Sequence, residues 1–126
     1  MEAVMSNSAR AIAVVDDEFC VREAMTNLLA SAGYETESYS SAEQFLESHG
    51  LNRASCIISD LEMKTMSGFG FLQHVRSMST TIPFVIMTGR PTDSSESICL
   101  ANGAVGFFGK PVDVDALLDL IESVVY

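Results

Sequence analysis

The sequence predicts an α/β fold with a parallel sheet, because short β-rich apolar runs alternate with longer segments of helical periodicity. Residues 11–15 form a continuous apolar run, which is typical of a strand buried on both faces. In the next segment apolar residues recur at helical spacing from Val21 to Ala32, and Gly33 lies where that helix would end. Strand and helix alternate five times along the chain, which predicts one sheet covered by helices on both faces.

The later strands and helices are predicted from the same two periodicities and from residues that start or end helices. Further strands are predicted at residues 35–39, 54–59, 83–87 and 105–108. Further helices are predicted after Ser41, after Gly68, over residues 92–102 and after Asp113. The helix after Gly68 is predicted to bury one face, which carries Phe71, Leu72, Val75 and Met78.

The helix over residues 92–102 is predicted to be the least stable one. Four Ser or Thr residues occur in it, and these residues are weak helix formers. Only Ile98, Cys99, Leu100 and Ala101 are left to anchor it on the sheet. We therefore expect this helix to be the element that changes most readily.

Length and composition predict a single domain. The chain has 126 residues, 48% of them hydrophobic, which is enough for one core. Residues 1–10 are expected to form a flexible N-terminal tail, and residues 11–126 the domain. No apolar run approaches the roughly 20 residues that span a bilayer, and the N-terminus does not resemble a secretion signal, so we expect a cytoplasmic protein without membrane contact. The net charge of -10 argues against nucleic-acid contact by this chain.

Polar side chains that can carry out phosphoryl chemistry stand at the ends of four predicted strands. Asp16 and Asp17 follow the first strand, Asp60 the third, Thr88 the fourth and Lys110 the fifth. The carboxyl ends of parallel strands meet at one edge of a sheet, so we expect these groups to lie close together. Clustered carboxylates bind a hard divalent cation, a carboxylate can act as a nucleophile, and an ammonium offsets the charge of an incoming phosphoryl group.

These fragments resemble the receiver domain of the bacterial two-component response regulators, and the resemblance runs from about Ala11 to the C-terminus. Thr88 with Gly89, the Met-Ser-Gly segment at 66–68, and Phe107 in place of tyrosine resemble the FixJ-type subgroup. The resemblance implies a doubly wound (βα)5 flavodoxin-like, CheY-like domain with strand order 2-1-3-4-5. In that order the crevice lies between strands one and three, at their carboxyl ends.

The resemblance also implies the roles of the acidic residues. Asp60 is expected to be the phosphorylated residue. The cofactor is expected to be Mg²⁺ or Mn²⁺, with Asp17 and Asp60 as direct ligands, Asp16 acting mainly through a water, and the backbone carbonyl of Glu62 as a further ligand.

The remaining site residues are expected to form the switch. By the same resemblance, Thr88 shifts toward the phosphoryl group, Phe107 turns inward to fill the space left, and Phe108 points to the opposite face. Lys110 contacts the phosphoryl group, and the bond before Pro111 is expected to be cis.

Two features depart from the family pattern or vary within it. Lys64 stands where the family commonly has proline, four residues after Asp60. Glu62 and Arg90 stand two residues after Asp60 and Thr88, at positions that flank the phosphoryl group and influence its lifetime. We expect that these two side chains would partly exclude the hydrolytic water if they meet across the mouth of the site.

The predicted function is a phosphorylation-driven switch rather than an enzyme. A sensor histidine kinase or phosphotransfer protein would supply the phosphoryl group, and the surface of the fourth helix and fifth strand would change, with homodimerisation through that surface as one outcome. One alternative is a metal-dependent phosphatase of the haloacid dehalogenase class, although Glu62 then replaces its second Asp. Another is a receiver fold that serves as a binding module without phosphorylation.

Overall fold

The computed structural model describes residues 11–125 and contains a five-stranded parallel sheet in the order β2-β1-β3-β4-β5, as predicted. The strands are β1 Ala11–Val15, β2 Thr36–Tyr39, β3 Ala54–Asp60, β4 Phe84–Thr88 and β5 Gly106–Gly109. The helices are α1 Phe19–Ser31, α2 Ala42–Glu47, α3 Gly68–Ser77, α4 Asp93–Ala101 and α5 Val114–Val124, and a short 3₁₀ helix covers Gly50–Asn52. The predicted tail, residues 1–10, lies outside the described residues.

Apolar residues on both faces of the sheet form two clusters that hold the helices in place. Strands β1 and β4 are buried along their whole length, as continuous apolar runs predict. One cluster contains Phe45, Phe71 and Phe84, whose rings pack edge to face with centroids 5.4 and 5.1 Å apart. The cluster on the other face includes Leu29 from α1 and Leu117 from α5. The sheet is therefore a rigid support for whatever side chains project from its edge.

The residues that begin the helices cap them with their side chains. Ser41, Ser67, Thr92 and Asp113 each accept a hydrogen bond from a backbone N–H three residues later. In α4 the Ser95 side chain completes a capping box with Thr92, so two of the hydroxyl residues counted as weak helix formers start the helix.

The predicted core contacts of α3 and α4 are partly wrong. Met78 lies at the C-terminal cap of α3 and is 51% exposed, because the helix ends before it. In α4 only Cys99 is buried, whereas Ile98 and Leu100 are exposed. Consecutive helical residues lie about 100° apart around the axis, so three neighbours cannot all face the sheet. Within the described part of the chain, no helix is long and apolar enough to cross a membrane.

Candidate functional site

The candidate site lies at the carboxyl edge of the sheet, where the ends of β3, β4 and β5 are joined by backbone hydrogen bonds. The amide of Leu61 donates to the carbonyl of Met87 at 2.7 Å, and the amide of Lys110 donates to the carbonyl of Thr88 at 2.8 Å. These bonds continue the sheet beyond the last residues of the strands. They place Asp60, Thr88 and Lys110 side by side, as the strand order requires.

Asp16, Asp17 and Asp60 form a carboxylate cluster at this edge. One carboxylate oxygen from each residue lies within 4.8 Å of those of the other two. Asp16 and Asp60 are buried and Asp17 is half-buried. Asp60 Oδ1 is buried and accepts no hydrogen bond, so this oxygen is available as a ligand. A hard divalent cation with oxygen ligands fits this donor set.

Lys110 provides the positive charge of the cluster. Its Nζ lies 3.1 Å from Asp60 Oδ1, within ion-pair distance although outside hydrogen-bond geometry, and 3.3 Å from Asp16 Oδ2. The Lys110-Pro111 peptide bond is cis, as expected, and follows directly on the end of β5. Burial by itself would lower the pKa of Lys110, but its contacts with Asp60 and Asp16 raise it above the ordinary value.

The surroundings of Asp60 disfavour its ionised form. The pKa of Asp60 is raised from 3.8 to about 6, mainly by burial and to a lesser extent by the charges of Asp16 and Glu62, while Lys110 opposes the increase. One ammonium does not compensate three carboxylates. The site is therefore built to receive additional positive charge.

The other two carboxylates are oriented by backbone amides. Asp16 Oδ1 accepts from the amide of Glu18 at 2.9 Å. Asp17 Oδ2 accepts from the amide of Lys64 at 3.1 Å. A proline at position 64 has no N–H and could not make this second bond. The departure from the family pattern at Lys64 thus supplies a hydrogen bond to a candidate metal ligand.

Thr88 is buried, and its hydroxyl is engaged on both sides. Its Oγ1 donates to Glu62 Oε2 at 2.6 Å and accepts from the amide of Arg90 at 3.0 Å. The bond to Glu62 was not predicted from the sequence. Among residues 11–125 no ion pair joins Glu62 to Arg90, and both side chains are exposed.

Phe107 and Phe108 pack on opposite faces of the sheet, as alternation along β5 predicts. Phe107 is half-buried and packs against the cluster that contains Phe84 and Cys99. Phe108 packs against the other cluster. Phe107 therefore connects the site edge, through β5, with the buried face of α4.

An apolar groove of about 540 Å³ borders the site on the side of α1. Its lining includes Val21 and Met25 from α1 together with Lys110, Pro111 and Val112. Phe19 at the start of α1 is 63% exposed. A partner that reaches the carboxylate cluster would meet apolar surface here.

The comparison with protein families gives one match that spans nearly the whole described chain. Residues 12–122 match the family model described as "Response regulator receiver domain". A curated relative, the response regulator protein TodT of Pseudomonas putida, is 32% identical over 94% of this chain and 52% of its own length. The transcriptional regulatory protein FixJ of Bradyrhizobium diazoefficiens is 31% identical over 90% of this chain and 56% of its own length. The chain thus spans about half the length of these curated relatives.

Solved structures agree with this assignment. The chemotaxis protein CheY4 of Vibrio cholerae superposes with a TM-score of 0.82 at 30% identity, covering 92% of this chain and 98% of that one. Full-length FixJ from B. japonicum superposes with a TM-score of 0.81 at 31% identity, covering 90% of this chain and 56% of that one. The resemblance inferred from the residues at the strand ends is confirmed. The chain belongs to the family of response regulator receiver domains.

Proposed function

We propose that this domain accepts a phosphoryl group on Asp60 from a phosphohistidine of a sensor histidine kinase or phosphotransfer protein. The observation that carries the proposal is the position of Asp60: buried, in contact with Lys110, and clustered with Asp16 and Asp17. A carboxylate that is poorly compensated and has an oxygen without a hydrogen bond is a suitable nucleophile.

In the proposed transfer, an Asp60 carboxylate oxygen attacks the phosphorus of the donor. The new P–O bond forms as the P–N bond breaks. The electron pair of the P–N bond leaves with the imidazole nitrogen, which takes up one proton from solvent to give neutral imidazole. The product is an acyl phosphate, so the charge of Asp60 is replaced by that of the phosphoryl group. Lys110 offsets this charge, and the strand ends hold the reacting groups in place.

A divalent cation fits the residues around Asp60. Asp16, Asp17, Asp60 and the backbone carbonyl of Glu62 would hold Mg²⁺ or Mn²⁺, which when bound supplies positive charge to the phosphoryl oxygens. The apolar groove beside Lys110 offers the donor protein a surface on which to dock.

We infer that the signal leaves the site through Thr88 and Phe107. Thr88 ends β4, and Phe107 packs against the core cluster that includes Cys99 of α4. Ile98, Leu100 and Val105 expose apolar surface near α4 and β5. A shift of Thr88 toward the phosphoryl group would change the packing of Phe107 and hence this surface, which would then bind an output partner or a second copy of the chain.

The test is incubation with a small-molecule phosphodonor and Mg²⁺, followed by intact-mass measurement. The expected result is the gain of one phosphoryl group that is stable in acid and labile in base, absent from Asp60→Asn and present in the exposed-site control Asp93→Asn. Continuous hydrolysis of the donor with no adduct at any time would favour the phosphatase alternative. No modification of the wild-type protein would favour the binding module.

A further inference from the structure

In the resting structure the hydroxyl of Thr88 is hydrogen-bonded to the side chain of Glu62, a contact that the sequence did not predict. Its single proton is donated to Glu62 Oε2 at 2.6 Å. One lone pair accepts from the amide of Arg90 at 3.0 Å. Thr88 is fully buried, so water cannot replace either partner without a local change in structure.

A threonine hydroxyl has one proton and therefore one donor bond. It cannot donate to Glu62 and to a phosphoryl oxygen at the same time. Any hydrogen bond from Thr88 to a group on Asp60 requires that the bond to Glu62 be broken first. The two acceptors therefore compete for the same proton.

The charge of Glu62 adds to this competition. The Glu62 carboxylate and a phosphoryl group on Asp60 both carry negative charge, so Glu62 opposes additional negative charge at that position. Glu62 is also free to leave. Its side chain is exposed, and among the described residues it has no hydrogen-bond partner except Thr88.

We propose that the Glu62 side chain is a positioning residue that locks Thr88 in its resting orientation, and that phosphorylation switches the domain by displacing it. The lock rests on the proposed phosphorylation of Asp60 and deepens it. The lock favours the resting state, because the hydrogen bond from Thr88 to the phosphoryl group must contribute more free energy than the bond to Glu62 that it replaces. After displacement, the Glu62 carboxylate is available to the exposed Arg90 side chain, because Glu62 Oε2 and the backbone amide of Arg90 both contact Thr88 Oγ1 in the resting structure.

The chain contains a matched control for this contact. In the same β3–α3 loop, the hydroxyl of Thr65 donates to Glu43 Oε1 at 2.9 Å. Glu43→Ala removes the same charge and the same kind of hydrogen bond as Glu62→Ala, but without contact to Thr88. Differences between these two variants therefore report the lock and not the change in net charge.

Beryllofluoride with Mg²⁺, titrated by amide chemical shifts, tests the competition. The net free energy of a hydrogen bond to an exposed carboxylate lies at the low end of the usual range for hydrogen bonds. Glu62→Ala is therefore expected to bind beryllofluoride about two- to tenfold more tightly than the wild type. Glu62→Gln keeps an acceptor and loses the charge, so its affinity should lie between the two. Glu43→Ala should match the wild type, and equal affinities of Glu62→Ala and the wild type would overturn the proposal.

A double-mutant cycle in the resting protein, without metal or phosphoryl analogue, tests the lock independently of function. Glu62→Ala is expected to cost more stability, measured as the urea midpoint, in the Thr88 protein than in the Thr88→Val background, because only the first loses the hydrogen bond while the change in charge is common to both. The same loss in both backgrounds would overturn the lock. If the wild type binds no beryllofluoride and is not modified by a phosphodonor, the proposed phosphorylation fails, while this cycle still decides whether Glu62 holds Thr88.

Discussion

Replacing Asp60 with Asn is expected to stabilise the metal-free protein at neutral and alkaline pH. The folded state raises the pKa of Asp60 from 3.8 to about 6, so the ionised carboxylate opposes folding. A pKa difference of about 2 between the folded and unfolded states corresponds to roughly 3 kcal/mol, which is an upper limit for the gain in the free energy of unfolding. Asn leaves Lys110 with only Asp16, which lies 3.3 Å away, so we expect a net gain of about 1 to 2 kcal/mol.

The sign of the pH dependence follows from the direction of the shift. An acid whose pKa is raised by folding destabilises the protein only when it is ionised. This loss of stability is absent when the pH is below the pKa of Asp60 in the unfolded state. It grows as the pH rises toward about 6, the pKa in the folded state, and is constant at higher pH. The advantage of Asp60→Asn should therefore be largest at pH 8 and should disappear near pH 4.

Urea unfolding in EDTA, followed by far-UV circular dichroism because the chain has no Trp, measures this difference. Asp119→Asn is the control, since Asp119 is exposed on α5 and its replacement should change the free energy of unfolding by less than about 0.5 kcal/mol. Adding Mg²⁺ should stabilise the wild type and reduce the difference in the free energy of unfolding between it and Asp60→Asn. A mutant that is no more stable than the wild type at pH 8 would refute the electrostatic argument.

Three further outcomes concern the loops around the site. Asp17→Asn should weaken Mg²⁺ binding in calorimetry strongly and Glu18→Gln only slightly; equal affinities would show that the wrong carboxylate was chosen. Lys64→Pro removes the amide that orients Asp17, whereas Lys64→Ala keeps it, so only the proline variant should lose Mg²⁺ affinity, by about two- to fivefold; no difference between them would count against this role. Arg90→Ala keeps its amide bond to Thr88 but cannot pair with a displaced Glu62, so radiolabel decay should show a phosphorylated lifetime shortened about two- to fivefold; an equal or longer lifetime would contradict a shielding role.

The strands and the positions of the acidic residues were predictable because they depend on local patterns. The run at β1 was predicted with its observed bounds, and Ser41 and Asp113 begin their helices through side-chain caps. Once the strand order is known, residues directly after parallel strands must meet at one edge. Asp16, Asp17 and Asp60 lie together for this reason.

The hydrogen bonds of the loops were not predictable in the same way. Glu62 and Thr88 are 26 positions apart, and their contact depends on the rotamers of two side chains in a loop without periodicity. The amide of Lys64 reaches Asp17 across 47 positions for a similar reason. Sequence patterns indicate which residues reach the site, whereas these contacts determine which of them are free to react.

A chemical-shift map with beryllofluoride and Mg²⁺ measures whether one chemical change at Asp60 alters the surface of α4 and β5. The amides of residues 92–108 should shift together with those of Asp60 and Thr88, and the Phe107 ring signals should change with the same binding curve. Asp60→Asn should show none of these changes. Shifts that stay at the sheet edge and never reach residues 92–108 would show that Asp60 is not coupled to the α4 and β5 surface.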